Sequence, residues 1–164
     1  IVSRKLPFPG NPEFGFGAIA EDGSLFIISE YEKLLPKELV DRIIEEQKLE
    51  IKRRILTLRK GEALPEIKDR RVILVDDGIA MGSTLRAAIY LCKNRNAKKI
   101  IVAAPVASKE AEKELAHLVD EAVILEKPLF FQAVAQAYKR WHDVSYEEAA
   151  AILKKWNDEK TLEV

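Results

Sequence analysis

The order of strand-like and helix-like segments predicts an α/β fold: an open, mostly parallel sheet with helices on both faces. Two observations carry this. Between residues 72 and 125 apolar strand runs alternate with helical ones in the order strand, helix, strand, helix, strand. Right-handed crossovers turn that order into a parallel sheet. The first strand, Val72-Ile73-Leu74-Val75, is four apolar residues in succession, the pattern of a central strand covered on both faces. A chain of 164 residues, 48% apolar, buries a core as one domain spanning residues 1–164.

The elements follow in order. Ile1-Val2-Ser3 opens in what reads as the middle of a strand. Leu6 to Glu13 contains Pro7, Pro9 and Pro12 with Gly10 and Asn11, which exclude helix and make a shaped loop. Gly15 to Ala20 and Leu25 to Ile28 flank Glu21-Asp22-Gly23-Ser24, a hairpin signal. From about Pro36 to Arg59 a charged helix carries an apolar stripe of Leu39, Ile43, Ile44, Ile51, Ile55 and Leu58, which favours packing over swinging as a lid. A linker from Gly61 to Asp69 leads to the first parallel strand. Leu85, Ala88, Ile89 and Cys92 recur at helical spacing over Ser83 to Asn94, giving an amphipathic helix that faces the sheet. Lys99 to Val106 is the next buried strand, Ser108 caps a helix reaching about Leu118, and Glu121 to Leu125 is the last strand. Leu129 to about Trp156 reads as two helices, the second started by a capping box of Ser145 and Glu148.

Composition narrows the function classes. Lys+Arg and Asp+Glu number 27 each, so net charge gives no reason to expect nucleic acid or an anionic membrane, while small anions remain candidates. No apolar run approaches the ~20 residues of a membrane span and no signal peptide is visible, so the expected location is cytoplasmic. A charged fraction of 33% is compatible with a surface laced by ion pairs, as in heat-adapted proteins. The single Cys92 excludes an internal disulfide and reads as a buried structural thiol.

The chemistry concentrates at the end of the first parallel strand. Asp76 and Asp77 are adjacent and repel each other unless a ligand or cation lies between them. Gly78 and Gly82 let the backbone turn tightly and approach a ligand. Ser83 and Thr84 add hydroxyls to the amides at the start of the next helix, an end that attracts phosphate. Several acidic or phosphate sites do not fit. A receiver domain needs a further Asp at a later strand end, where Ala103-Ala104-Pro105-Val106 stands. A haloacid-dehalogenase-type site needs Asp-x-Asp, and Gly78 occupies the required place. A Walker loop needs Lys before its hydroxyl residue, and a dinucleotide fingerprint needs three spaced glycines. The plain alternative is a solvated turn, which seldom needs two carboxylates, two glycines and two hydroxyls at one strand-to-helix junction.

Val72 to Thr84 resembles the phosphoribosyl diphosphate (PRPP) motif of type I phosphoribosyltransferases: four apolar residues, two acidic residues, then Gly-x-x-x-Gly-Ser-Thr. Arg4-Lys5-Leu6, Gly10 to Glu13, Gly17-Ala18 and Phe130 to Trp141 resemble a group of predicted phosphoribosyltransferases of unassigned substrate. The resemblance divides the domain into a hood of a hairpin and long helix at about 6–62, a PRPP-binding core at about 70–126 and a helical tail at about 129–158. It implies that Asp76 and Asp77 accept from the ribose 2- and 3-hydroxyls, directly or through water on Mg²⁺. Gly78, Ile79, Ala80, Met81, Gly82, Ser83 and Thr84 would wrap the 5-phosphate. Arg4 or Lys5 is the local candidate for meeting pyrophosphate, with a solvated basic pair as the equal alternative.

Two departures stand out. Met81 replaces the usual Thr of the family, losing a hydroxyl worth roughly 1 kcal/mol. The family's Gly-containing pyrophosphate loop, which follows an earlier strand, has no counterpart here and is expected upstream of Ile1. His117 reads as surface, whereas His142 stays open between surface and site, because the resemblance allows tail residues to cover the base-binding side. Tyr138 and Trp141 read as core or subunit contacts, and Phe130 and Phe131 by position as acceptor-pocket lining. Three functions stay open: Mg²⁺-dependent transfer from PRPP to an unidentified, nucleobase-like nitrogenous acceptor with release of pyrophosphate, by a homo-oligomer such as a dimer; a PRPP- or nucleotide-sensing module; and an inactive truncated remnant.

Overall fold

The computed structural model describes residues 1–162. Its strands are β1 (Ser3–Phe8), β2 (Asn11–Ala20), β3 (Leu25–Ile27), β4 (Arg71–Val75), β5 (Lys99–Val106) and β6 (Glu121–Glu126). Its helices are α1 (Ser29–Glu32), α2 (Lys37–Arg59), α3 (Ser83–Asn94), α4 (Lys109–Leu115) and α5 (Tyr146–Leu162), with a 3₁₀ turn at Val134–Ala137. β4, β5 and β6 form a parallel sheet in that order, and β1, β2 and β3 an antiparallel one. The α/β class and the parallel sheet are as the sequence predicts.

Four local expectations change. The proline-rich segment 6–13 is not a loop: it forms the bulged end of the β1–β2 pair, with register shifts on both sides of Pro7. A bulge is where a strand tolerates proline, because the missing N–H leaves no ladder bond broken. β4 is not central but the outer strand of its sheet. One face buries Leu74, Ile100, Val102, Ala104 and Val106. The opposite face leaves Ile73 at 60% exposure and Val75 at 75%, with Val123 and Leu125 of β6 also exposed. The apolar run therefore reflects composition on both faces, although only one of them is covered by the described residues. The helix after Ser108 ends at Leu115 rather than near Leu118. Finally, the tail holds one helix and not two: residues 127–145 cross the strand ends without α-helix, because Val134 and Tyr138 are engaged by the loop after β4.

α3 is the shared core element. Besides the expected stripe of Leu85, Ala88, Ile89 and Cys92, it buries Ala87 and Leu91. It packs against Ala18 and Ala20 of β2 on one side and Leu74, Ile100 and Val102 of the parallel sheet on the other. Cys92 has no exposed surface, and burial pushes its thiol up to about 11, as befits a structural residue. A polar link joins α3 to the hairpin turn, where Asn94 Nδ2 donates to Ser24 Oγ at 2.9 Å. On the far side of the hairpin sheet, α2 packs as its stripe predicts. Val40, Ile43, Ile44 and Ile51 join Val2, Leu6, Phe16 and Ile19 in a second apolar cluster. No described helix is long and apolar enough to cross a membrane.

Ile89 is fully buried in α3, between groups from both sheets. Ile89→Ala is expected to lower unfolding free energy by about 3 kcal/mol, read by urea denaturation. Leu56→Ala, at a position 62% exposed on α2, should stay within about 0.5 kcal/mol of the parent chain. Equal effects at the two positions would contradict the assignment of α3 as the shared core.

Candidate functional site

The site grows out of the end of β4. The Asp76 amide donates to the Ala103 carbonyl at 3.2 Å, so strand pairing continues one residue past β4 and fixes where the acidic pair begins. Asp76 Oδ1 accepts from the Asp77 amide at 3.0 Å. Burial, then the neighbouring Asp77 carboxylate, pushes the Asp76 carboxyl up from 3.8 to about 6. Charge is thus held at the strand end against its own repulsion, a state that a cation or hydroxyl donors relieve.

The chain then turns into α3 through a loop clamped to the β5–α4 junction. The Ile79 amide donates to Val106 O, and Ser108 N to Ile79 O, both at 2.9 Å. Ser108 Oγ donates to Ala80 O at 2.9 Å and accepts from the Ala111 amide at 3.0 Å. One hydroxyl therefore caps α4 and holds the loop. Ile79 points into the core at 1% exposure. Gly82, at φ +68, begins α3 with no side-chain cap on the first-turn amides. Those amides and the Ser83 and Thr84 hydroxyls are available to an anion. Gly78 is required for a different reason: a Cβ there would meet Val134 Cγ1 at 2.5 Å and Val106 Cγ1 at 2.9 Å.

A cleft of about 250 Å³ is lined by Lys5, Glu13 and Gly15 from the hairpin, Asp76, Gly78 and Ile79 to Thr84 from the loop, and Val134 from the tail. Lys5 thus reaches the same cleft as the loop, its Nζ donating to Glu13 O at 2.5 Å. Arg4, next along β1, faces the other way and donates from Nε to Gln47 Oε1 of α2 at 3.1 Å. Met81 is 49% exposed at the rim. Asp77 lies on the far side of the acidic pair and lines a second cavity with Tyr138, Trp141 and neighbouring tail residues. Phe130 is 90% exposed and lines neither cavity, and His117 is exposed beyond α4.

Three contributors escape a reading by local pattern. Val134 closes over Gly78, and the Tyr138 hydroxyl donates to the Asp77 carbonyl at 2.6 Å. Ser108 carries a helix-cap signal in the sequence, but nothing there reveals its hold on Ala80. Tyr138 lies 61 residues from its partner.

Comparison with known proteins gives three findings. The family described as phosphoribosyl transferase domain matches residues 24–139. Two strains of Mycobacterium tuberculosis, CDC 1551 / Oshkosh and ATCC 25618 / H37Rv, each carry a protein named "Putative phosphoribosyl transferase" that is 34% identical over 155 residues, 93% of this chain. The chain spans 35% of the length of those relatives. The crystal structure of TT1426 from Thermus thermophilus superimposes with a TM-score of 0.73 at 34% identity, over 94% of this chain and 74% of that one.

The raised Asp76 carboxyl has a measurable cost. Above pH 6 the folded chain holds a charge that the unfolded chain carries more easily; as pH falls through 6 the folded form gains a proton and the cost fades, vanishing below 3.8. Asp76→Asn is therefore expected to stabilise the ligand-free chain at pH 7 by about 1 kcal/mol after allowance for solvent screening, and to make no difference at pH 3.5. Urea midpoints across pH 3.5 to 8 test this; destabilisation at pH 7 would contradict it.

Proposed function

Because this chain belongs to the phosphoribosyl transferase family, we propose that it transfers the phosphoribosyl group of PRPP to a nitrogenous acceptor and releases pyrophosphate. The observation that carries this reading is the junction itself: two carboxylates at a strand end, followed at once by open amides held in place by Ile79 and Ser108.

In this reading the amides of Ala80 to Thr84 and the Ser83 and Thr84 hydroxyls hold the 5-phosphate at the start of α3, while the Ile79 amide, expected from the sequence to join them, is spent on the Val106 carbonyl. Asp76 and Asp77 accept from the ribose hydroxyls. Their negative charge also lies near C1, where positive character develops as the leaving group departs. Lys5, on the opposite wall of the cleft, is placed to meet the pyrophosphate, a role its geometry suits and that of Arg4 does not. The acceptor nitrogen's lone pair forms the bond to C1, the C1–O bond breaks with its electrons going to pyrophosphate, and the departing pyrophosphate takes up the acceptor N–H proton. The protein forms no covalent bond to substrate. It positions the reactants and keeps water out, and the tail over Gly78 covers the cleft for that purpose.

The acidic pair fits Mg²⁺. Its unrelieved repulsion favours a cation, and among the described residues no group of three or more His, Cys, Asp or Glu is arranged to hold a metal. Two carboxylates plus substrate oxygens and water make the usual Mg²⁺ set for phosphate substrates. Bound there, Mg²⁺ would supply charge neutralisation for the departing pyrophosphate.

Titration calorimetry with PRPP is the test. Affinity should require Mg²⁺ and should weaken by about 100-fold or more in the Asp76→Asn, Asp77→Asn double variant, the worth of two charge-assisted hydrogen bonds. Unchanged affinity in that variant would sink the proposal. PRPP binding with no pyrophosphate released in the presence of any nitrogenous base would assign the same site to sensing instead of transfer.

A further inference from the structure

Ala80, Met81 and Ser83 line two cavities, one on each side of the loop after β4. The cleft with Asp76 lies on one side, and on the other a cavity of about 430 Å³ opens between β3, α1, α3 and α4. The loop is therefore a thin wall. Toward the cleft it offers a phosphate only amides and hydroxyls, since Ile79 to Thr84 include no Lys or Arg and Lys5 stands on the hairpin wall. The rear is different, because there the wall is backed by the guanidinium of Arg86. Resting on the transfer reading above, we propose that Arg86 is a positioning residue for the 5-phosphate: it braces the rear of the loop and lends it the positive charge that the loop itself lacks.

Placement comes from the helix. Arg86 closes the first turn of α3, its amide donating to the Gly82 carbonyl at 2.9 Å. Helical side chains lean toward the N-terminus, so the guanidinium lies back along Gly82 and Ser83, behind the open amides. Two further elements hold it there. It sits 4.7 Å from the centroid of the Phe26 ring of β3, and it forms an ion pair with Glu114 of α4. One side chain thus ties the hairpin and α4 to the start of α3.

The energetics of the ligand-free chain do not call for a cation at this position. Positive charge near the start of a helix opposes the macrodipole, and burial disfavours the charged guanidinium. Its Nε–H is buried with no acceptor among the described residues, a further cost. A phosphate dianion on the other side of the wall reverses the balance. Glu114 does not cancel the charge, because the Arg86 side chain is 13% exposed and that of Glu114 57%, so water screens the carboxylate more than the guanidinium. Glu30 and Glu110, the other carboxylates lining the rear cavity, are exposed as well.

Ribose 5-phosphate is the probe, since it carries the phosphate without pyrophosphate. By titration calorimetry at about pH 8, where the phosphate is a dianion, Arg86→Met is expected to weaken its binding about tenfold. Arg86→Lys, which keeps the charge and loses the planar stacking, should weaken it no more than about threefold. Glu114→Gln separates charge from mere support by its sign. Freed of its counter-ion, Arg86 draws the phosphate more strongly, so affinity should rise about threefold while thermal stability falls, and adding Arg86→Met should abolish the gain. Glu114 is largely exposed, so this variant carries the test even where Arg86→Met does not fold. Pyrophosphate with Mg²⁺, which meets the Lys5 wall, should bind every folded variant as it binds the parent. Unchanged ribose 5-phosphate affinity in Arg86→Met, equal losses in Arg86→Met and Arg86→Lys, a parallel loss of pyrophosphate binding, or weaker ribose 5-phosphate binding in Glu114→Gln would overturn the proposal and leave the transfer reading standing. A parent chain that binds neither ribose 5-phosphate nor PRPP would overturn both.

Discussion

The structure depends on the burial of one helix from two sides. α3 lies between the hairpin sheet and the parallel sheet, and its first turn supplies the open amides beside the loop after β4. A helix packed on one face can tilt or slide about its contact at small cost. With Ala87 and Leu91 buried as well as Leu85, Ala88, Ile89 and Cys92, any displacement of α3 opens a gap in close-packed surroundings. The position of the amides is thus set by the core, at a distance from the amides themselves.

A second layer of constraint acts on the loop directly. Ile79 is pinned from both sides by backbone bonds to Val106 and Ser108, and its side chain is inserted into the core. This leaves Ala80 and Met81 at the surface while their neighbours are fixed, the arrangement expected where exposed backbone must keep one shape without a ligand. The tail adds the last contacts, through Val134 on Gly78 and Tyr138 on Asp77. Parts of the chain more than 50 residues away in sequence therefore control the surroundings of the acidic pair.

That distance explains what the sequence reveals and what it hides. Val72 to Thr84 is legible because strand, acidic pair, turn and helix start are contiguous, and each leaves its own residue preference. The α2 stripe is legible for the same reason of local period. The outer position of β4 is not, since four apolar residues look alike whether one face or two are covered. Nor is the second buried side of α3, because Ala87 is small enough to pass for a surface residue. The tail misleads most. Its residues carry adequate helix propensity, but the contacts of Val134 and Tyr138 across the strand ends compete with it and win, as tertiary packing commonly does. Lys5 and Arg4 illustrate the finer limit: the sequence marks a basic pair, and only strand alternation in a known register tells which member faces the cleft.

The acidic pair has one more consequence, which concerns heat. A carboxyl that titrates at about 6 is partly protonated in mildly acidic buffer, and any cation or cationic complex that settles against it displaces that proton into solution. The enthalpy observed on binding then contains the ionisation heat of whatever buffer takes the proton up. Two buffers of equal pH and different ionisation enthalpy give different apparent heats for the same event, and the difference divided by the gap between them counts the net protons released on binding, Asp76 being one of the groups that supplies them.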